Sequence, residues 1–384
     1  MYNVALLHCS EYEHELLKDR VRRALSLIGF DPARFSGKRV GLKPNLLMPF
    51  APDRAVVTHP EFFRAAAAVV KENNGVPVLT ECPNFLSQQA TVDKVGYGGI
   101  LAELGVDMAD MDETASLPSA GGELYKKIDV SKAVLEVDIL LNLAKMKTHA
   151  FTYLSGPVKH LFGVIPGIRK SRMHMRLPDN ERFSTFLLDL YAGLCAHFAP
   201  PRAMIHLVDG VLAMEGNGPG PSGTPKRMNA VLAGENALAV ERVIVAITGL
   251  DPNKLYTLMK GAARGMGPGS LEDVEVLGDK VEDLYSPDFA PPSRTLYGGV
   301  AWPLTSPTLK NWFVERPVPD PEKCALCYHC KRTCPADAIS PAKKGGKVPR
   351  FDYKACIRCF CCMEICPEAA ITIRKGRLQW MLKV

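Results

Sequence analysis

No apolar run in this 384-residue chain approaches the roughly 18 residues of a membrane-spanning helix, so no membrane span is expected. The opening residues, Met1 to Cys9, lack the basic region of a secretory signal and read as a first strand. Charge is modest too: a net +6 with 23% charged residues gives no reason to expect a nucleic-acid partner. Nucleotide fingerprints are missing. The glycine-rich stretch Gly216–Pro225 lacks both the G-x-G-x-x-G order and the lysine of a phosphate-binding loop, and residues 261–269 fail the same tests. A disulfide framework is excluded as well, because only Cys9, Cys82, Cys195 and Cys361 stand outside one patterned set. Such usage suits a reducing compartment, with the cytoplasm as the expected location. One absence is local: from Ile139 to Pro178 there is no aspartate or glutamate.

The patterned cysteines form two copies of C-x2-C-x2-C-x3-C-P, at Cys324-Cys327-Cys330-Cys334-Pro335 and Cys356-Cys359-Cys362-Cys366-Pro367. One uniform shift carries the first copy onto the second, together with Asp320 onto Asp352 and Ala338-Ile339 onto Ala370-Ile371. In this run three thiolates embrace one [4Fe–4S] cluster and the fourth serves the other cluster. The expected ligand sets are Cys324, Cys327, Cys330 and Cys366 for one, and Cys356, Cys359, Cys362 and Cys334 for the other. Zinc sites use two pairs of cysteines rather than triplets, which argues against zinc knuckles. Each Cys-Pro is expected to open a short helix, and Ile339, Ile371 and Ile373 to cover the clusters. Cys361 reads as a small apolar residue between two ligands. Residues 318–376 resemble bacterial-type two-cluster ferredoxins, and two [4Fe–4S] clusters are the expected cofactors.

Upstream, strand-like and helix-like segments alternate. Strands are expected at Val4–Cys9, Arg39–Leu46, Pro77–Glu81, Val134–Leu143, Ala203–Asp209 and Asn229–Ala233, with helices at Glu13–Leu27, Pro60–Lys71, Ser184–His197 and Ala237–Thr248. The fold class is therefore α/β: a doubly wound, mostly parallel sheet, followed by a small α+β ferredoxin-like two-cluster domain. The expected divisions are a large domain over residues 1–285, a proline-rich connector packed on it over 286–317, and the ferredoxin-type domain over 318–384. Trp302, Trp312 and Phe313 interrupt the connector and argue against a free linker.

The acid-free window holds Lys145, Lys147, Lys159, Arg169, Lys170, Arg172 and Arg176, with His149, His160 and His174, broken by Gly156-Pro157, Gly163 and Pro166-Gly167. Ligands of open α/β sheets bind beyond the carboxyl ends of strands. The strand ending at Leu143 is expected to deliver Lys145, Lys147 and His149 to such an end. Ser155-Gly156 is expected to open a helix whose amides face an anion. Substrate contacts are assigned to Lys43, Asn45, Lys145, Lys159, Ser155 and Gly156, because lysine suits phosphate or carboxylate as a point charge. Catalytic roles fall to His149, His160 and Lys147, the histidines as proton donors near neutral pH. Asp209 and Glu215 are a weak pair for a metal or a proton, and His59 before Pro60 reads as a helix cap.

Lys43-Pro44-Asn45, Thr58-His59-Pro60, Lys145-Met-Lys147-Thr148-His149, Ser155-Gly156-Pro157-Val158-Lys159-His160-Leu161-Phe162-Gly163, Asp209-Gly210, Met214–Pro219 and Gly249-Leu250-Asp251-Pro252 resemble the family known as domain of unknown function 362. The resemblance spans residues 2–280 and implies this architecture, often with such a ferredoxin module, more than any chemistry. Where the family commonly has aspartates, this chain has Glu235 and Glu241. Two functions compete. One is an iron–sulfur oxidoreductase that takes electrons from a low-potential donor, such as a ferredoxin or a reductase, to a small anionic substrate. The other is an electron-transfer or cofactor-assembly accessory whose large domain docks a partner enzyme. A non-redox enzyme with structural clusters ranks third, and a homodimer is compatible with each.

Overall fold

The computed structural model describes the chain except residues 83–87, 168, 178, 294–311, 313 and 378–384, and the side chains of Ser171 and Arg172. Among the described residues of the large domain the strands are β1 (Tyr2–His8), β2 (Arg39–Pro44), β3 (Val76–Leu79), β4 (Asp107–Met108), β5 (Thr114–Pro118), β6 (Lys127–Ser131), β7 (Ile139–His149), β8 (Tyr153–Leu154), β9 (Ala203–Gly216), β10 (Gly223–Gly234) and β11 (Val274–Gly278). The main sheet runs β11-β1-β10-β9-β7-β2-β3-β4, with β8 added to β7 and β5–β6 forming a separate hairpin. From β4 through β9 the pairings are parallel, and β10 turns back antiparallel between β9 and β1. The α/β, mostly parallel architecture is thus observed.

Side chains of a strand point alternately to opposite faces, and this sheet has a core on each. Leu140, Ala144 and Met146 of β7 join one cluster, packed under the helix Asn180–His197. Ile139, Leu141 and Leu143 join the other, with the helices His14–Leu27 and Pro60–Glu72. The second helix begins at Pro60, whose missing N–H costs nothing there, and His59 caps it by accepting the Glu61 amide proton at Nδ1 (3.2 Å). From β2 the chain moves outward to β3 and β4, then returns as β7 on the other side of β2. The strand order reverses between β2 and β7, which is where open α/β sheets bind ligands.

One expected strand is placed differently. Lys132–Leu135 is a short helix, and β7 starts at Ile139 and runs on through His149. The lysines of this segment therefore lie within a strand, where alternation and not a shared loop decides their direction.

The cysteine module has two short antiparallel pairs, β12 (Arg316–Pro319) with β15 (Ile371–Arg374) and β13 (Ile339–Ser340) with β14 (Arg350–Phe351). Repeat-related bonds cross between the halves: the Asp320 amide donates to Ala370 O (2.7 Å) and the Asp352 amide to Ala338 O (2.8 Å). The short helices, His329–Thr333 and Cys361–Glu364, precede the Cys-Pro steps and do not follow them. After each Cys-Pro the chain turns through a left-handed residue, Asp337 or Ala369 (both φ 47°), which a helix cannot continue through. Ile339 and Ile371 are buried in the module core, and Ile373 packs against it.

The module sits on the large domain. Its Ile365 belongs to the core under the helix Pro60–Glu72, and Ala150 of the large domain packs among the module's cysteines. A Cβ on Gly220 would lie 2.4 Å from Glu364 O, so only glycine permits this approach. Of the proline-rich stretch, Phe289 is buried in the large core and Ala290 O accepts from the Gly216 amide (2.8 Å). Trp312 is exposed, while Trp302 and Phe313 lie outside the described residues.

Candidate functional site

Cys324, Cys327, Cys330 and Cys366 line one mostly apolar cavity with Pro319, Tyr328, Phe351 and Ile371. Cys334 lies within electrostatic reach of Cys356 and Cys359, and so does Cys362. The fourth cysteine of each repeat thus lies beside cysteines of the other repeat. Burial raises the thiols of Cys330, Cys334 and Cys366. Amides nevertheless point at two of the sulfurs: Ala338 donates to Cys334 Sγ and Ala370 to Cys366 Sγ, both at 3.3 Å. Leu326 and Tyr328 in one loop, and their repeat partners Arg358 and Phe360, all have positive φ between 53° and 63°. Such non-glycine left-handed residues are costly, and they turn successive amides into a concave nest that favours an anionic centre. The thiols, amides and apolar cover fit a [4Fe–4S] cluster at each position.

A second cavity, of about 80 Å³, lies where β2, β3 and the segment after β8 meet the module. Lys43, Asn45, Glu81, Ser155, Lys159, His160, Lys170 and His174 line it from the large domain, and Thr333, Cys361, Glu364 and Ile365 from the module. Its floor is a chain of buried polar groups. Lys43 Nζ donates to Glu81 Oε2 and lies 3.2 Å from His160 Nε2. His160 Nδ1 bonds Asn142 Oδ1 (2.7 Å), and Asn142 Nδ2 bonds His206 Nδ1 (2.9 Å) and Pro157 O (3.1 Å). An amide oxygen only accepts, so His160 carries its proton on Nδ1 and offers a lone pair at Nε2 to the Lys43 ammonium. Burial, then the positive Lys43, hold His160 well below the usual histidine range. Gly163 closes against this pair: a Cβ there would meet Lys43 Nζ at 2.5 Å.

The remaining lysines carry the electrostatics. Lys170 donates to Cys82 O (2.5 Å), and Lys147 to Val56 O (2.6 Å) and Asn45 Oδ1 (3.0 Å). Lys159 lies over the Phe162 ring (5.0 Å). None of the three has a carboxylate within ion-pair distance among the described residues, and the residues outside that set include no aspartate or glutamate. Burial, then neighbouring Lys159, pull Lys147 down to about 7. Burial also lowers Lys159, with Glu364 opposing. Burial alone would raise Glu364 further than its value of about 7, were it not for Lys159 and Lys147.

The expected site residues divide. Lys43, Asn45, Ser155, Lys159 and His160 line the cavity. Lys145 does not, because it points to the other face of the sheet, where it pairs with Asp209 (2.8 Å), both fully buried. Tyr12 donates to Asp209 (2.7 Å), receives from Lys145 (2.8 Å) and stacks on His59 at 3.6 Å. Asp209 is thereby saturated, while Glu215 accepts from the Ala290 amide (2.9 Å), so these two acids do not converge. Lys147 supports the cavity from behind Asn45. His149 is turned away: its Nδ1 accepts from the Phe151 amide (3.1 Å) and its Nε2 faces Glu364 at 3.6 Å, beyond hydrogen-bond length. Burial and the nearby Lys159 hold His149 well below its ordinary value. The helix after Ser155-Gly156 is a single turn, Pro157–His160, and its Val158 amide donates to buried Glu241 (2.9 Å). The anion facing it is thus the protein's own carboxylate, and Gly156 is glycine because a Cβ would meet Glu241 at 2.7 Å.

Glu241 also accepts from Thr257 (3.1 Å), yet burial lifts it from 4.5 to about 7. A raised folded pKa contributes stability below pH about 4.5 that is lost as pH rises through about 7. Glu241→Gln keeps an acceptor for Val158 and has no charge to bury. Its stability is expected to exceed that of the parent by about 3 kcal/mol above neutrality and to match it near pH 4, in denaturant unfolding at both pH values.

Glu81, Lys170, His174, Asn142 and the module's Glu364 were not among the expected site residues. Glu81 at the end of a strand beside that of Lys43, and Lys170 inside the acid-free window, left a trace in the sequence. Asn142 and Glu364 left none.

A thylakoid-associated protein of Synechocystis sp. is 31% identical over 273 residues, covering 70% of this chain and 82% of that protein. The lactate racemase apoprotein of Thermoanaerobacterium thermosaccharolyticum has a TM-score of 0.37 at 17% identity, covering 60% of this chain and 54% of that one. A Thermotoga maritima crystal structure has a TM-score of 0.39 at 12% identity, covering 67% and 60%. The chain thus spans less than two thirds of each of these two solved chains. Residues 316–367 match the 4Fe–4S dicluster domain, and residues 40–246 match the domain of unknown function (DUF362). The chain belongs to the DUF362 family and carries a C-terminal 4Fe–4S dicluster domain.

Proposed function

We propose that the chain is an iron–sulfur oxidoreductase acting on a small anion held in the cavity between the sheet and the cysteine module. The observation that carries this is the pair of lysines on the cavity wall, Lys159 and Lys170, with Lys147 behind Asn45, none of them with a carboxylate within ion-pair distance among the described residues. An uncompensated buried charge is costly, and an anion of a few heavy atoms fits about 80 Å³ and removes that cost.

Cys324, Cys327, Cys330 and Cys366 would hold one cluster, and Cys356, Cys359, Cys362 and Cys334 the other; each bound cluster supplies one electron at a time. Lys159 and Lys170 orient the anion. Lys43 holds an acidic proton at Nζ between Glu81 and the His160 lone pair, and the missing side chain of Gly163 leaves room beside that atom. Two electrons from a low-potential one-electron carrier protein, one proton from Lys43 Nζ and one from solvent then balance a two-electron reduction. His160 serves here as the acceptor that orients Lys43, rather than as the first proton donor. Ile365, Phe162 and Leu46 supply the apolar part of the cavity wall.

Inorganic phosphate or a small carboxylate is expected to raise the melting temperature of the anaerobic holoprotein, by about 2.7 kcal/mol of stabilisation at one hundred times Kd. Binding weakens only in part with salt, since a buried site is screened less than a surface patch. Lys159→Ala removes most of this stabilisation and keeps the cluster spectrum. An unchanged melting temperature with every small anion, beside salt-sensitive capture of a protein partner, would instead support the accessory function.

A further inference from the structure

The uniform shift that lays one cysteine run on the other also carries Tyr328-His329 onto Phe360-Cys361, the pair just before the third cysteine of each repeat. The local backbone repeats as well. Tyr328 and Phe360 are both left-handed, with φ 58°, and each is followed directly by a short helix that His329 or Cys361 begins. Side chains at a helix start lean back over the preceding loop, and here both reach the second cysteine of their own repeat. His329 Nδ1 lies 3.2 Å from Cys327 Sγ. The Cys361 thiol hydrogen-bonds the Cys359 sulfur, which holds Cys359 below its ordinary range, and its other acceptor, Cys359 O, is 4.0 Å away. Cys361 is therefore more than the small apolar residue its place in the sequence suggests. The amide donors to the fourth cysteines, by contrast, match at 3.3 Å in both halves.

We propose that this position tunes the clusters. The residue before the third cysteine gives a hydrogen bond to the second cysteine's sulfur and raises the reduction potential of the centre that sulfur serves, His329 more than Cys361. A sulfur bound to iron carries no proton, so the bonds run from His329 Nδ1–H to Cys327 and from the Cys361 S–H to Cys359. A cluster that takes up one electron gains a negative charge shared by its sulfurs, and a donor aimed at a sulfur favours the reduced form. The two donors differ in strength: an imidazole N–H is a full donor, whereas a thiol S–H is a weak one. One repeated position thus moves two centres of the same ligand type by unequal amounts. The proposal rests on the cysteines holding clusters and is independent of the anion.

The test is a redox titration of the anaerobic holoprotein, followed by electron paramagnetic resonance, on the parent and on His329→Leu, His329→Gln and Cys361→Ala. His329→Leu is expected to lower the potential of one centre, its ratio of reduced to oxidised form at a fixed poise falling about tenfold, or about 59 mV for one electron. His329→Gln keeps an N–H and should recover most of that shift. Cys361→Ala should lower the potential of the other centre, and by less. Unmoved potentials in His329→Leu overturn the proposal, as does an equal shift of both centres, a His329→Gln shift as large as that of His329→Leu, or a larger shift in Cys361→Ala. If a variant loses its cluster, the parent decides. With its histidines labelled with the heavy nitrogen isotope, one reduced centre is expected to show a hyperfine coupling to a histidine nitrogen, and a coupling at neither centre, or an equal one at both, overturns the proposal. A parent with no cluster signal overturns the iron–sulfur reading and this proposal with it, whereas intact signals with unmoved potentials overturn this proposal alone.

Discussion

Lys43→Met is expected to destabilise the folded protein by about 3–5 kcal/mol, because it strands Glu81 in a buried site without its partner. Lys43 is fully buried and Glu81 is 5% exposed, so neither can reach water to escape the loss. The penalty should be largest at neutral and higher pH, and shrink in acid as the stranded carboxyl takes up a proton. Adding Glu81→Met removes the orphaned charge and should restore most of the stability, since a buried ion pair replaced by apolar groups is often neutral. It should not restore anion reduction, because the ammonium proton is gone. Urea unfolding of the parent, both single variants and the double variant measures the coupling directly. Additive single losses would show that the two side chains do not act as a pair. Reduction by the double variant at the parent's rate would remove Lys43 from the chemistry.

Gly220→Val is expected to unseat the cysteine module while leaving its iron content unchanged. The added side chain meets backbone atoms of Glu364 at 2.4, 2.8 and 2.9 Å, and a helix backbone cannot swing aside as a flexible side chain can. Overpacking of this kind costs about 1–3 kcal/mol when the surroundings absorb it. Here the cheaper response is separation of the two surfaces. Hydrogen exchange should then rise at residues 361–366 and 148–152, where Glu364 faces His149 and Ala150 enters the module core. Anion stabilisation should fall with it, because the module supplies one wall of the cavity. A variant with native exchange and native anion affinity would show that the module does not close the site.

These effects separate what the sequence could carry from what it could not. The dicluster domain was legible because the spacing of its cysteines is local and repeated within one short segment. The alternating strands and helices were legible for a similar reason, and the helix Ala237–Thr248 lies where its pattern ends. The lysines of β7 were not. A lysine usually marks a strand's end, yet Lys145 is buried mid-strand because Asp209 stands opposite it in the register, 64 residues on. Once β7 runs to His149, strict alternation sends Lys145 to one face and Asn142 to the other, which is why the expected residues do not all share a cavity. Gly156 illustrates the same limit. Its pattern looks like an anion-binding helix start, and the anion turns out to be Glu241 from a distant helix. The seat of the module, Gly220 on Glu364, joins residues 144 apart and has no local signal.

A small anion is proposed to sit between the sheet and the cysteine module. Anaerobic crystals of the holoprotein soaked in selenate, with anomalous diffraction recorded at the selenium edge, test it most directly. A peak is expected inside the cavity, within hydrogen-bond distance of Lys159 and Lys170 and beside Lys43, and it should weaken in Lys159→Ala crystals. An empty cavity, with selenate found only on the outer cleft lined by Lys127, Arg169 and Arg176, would contradict it.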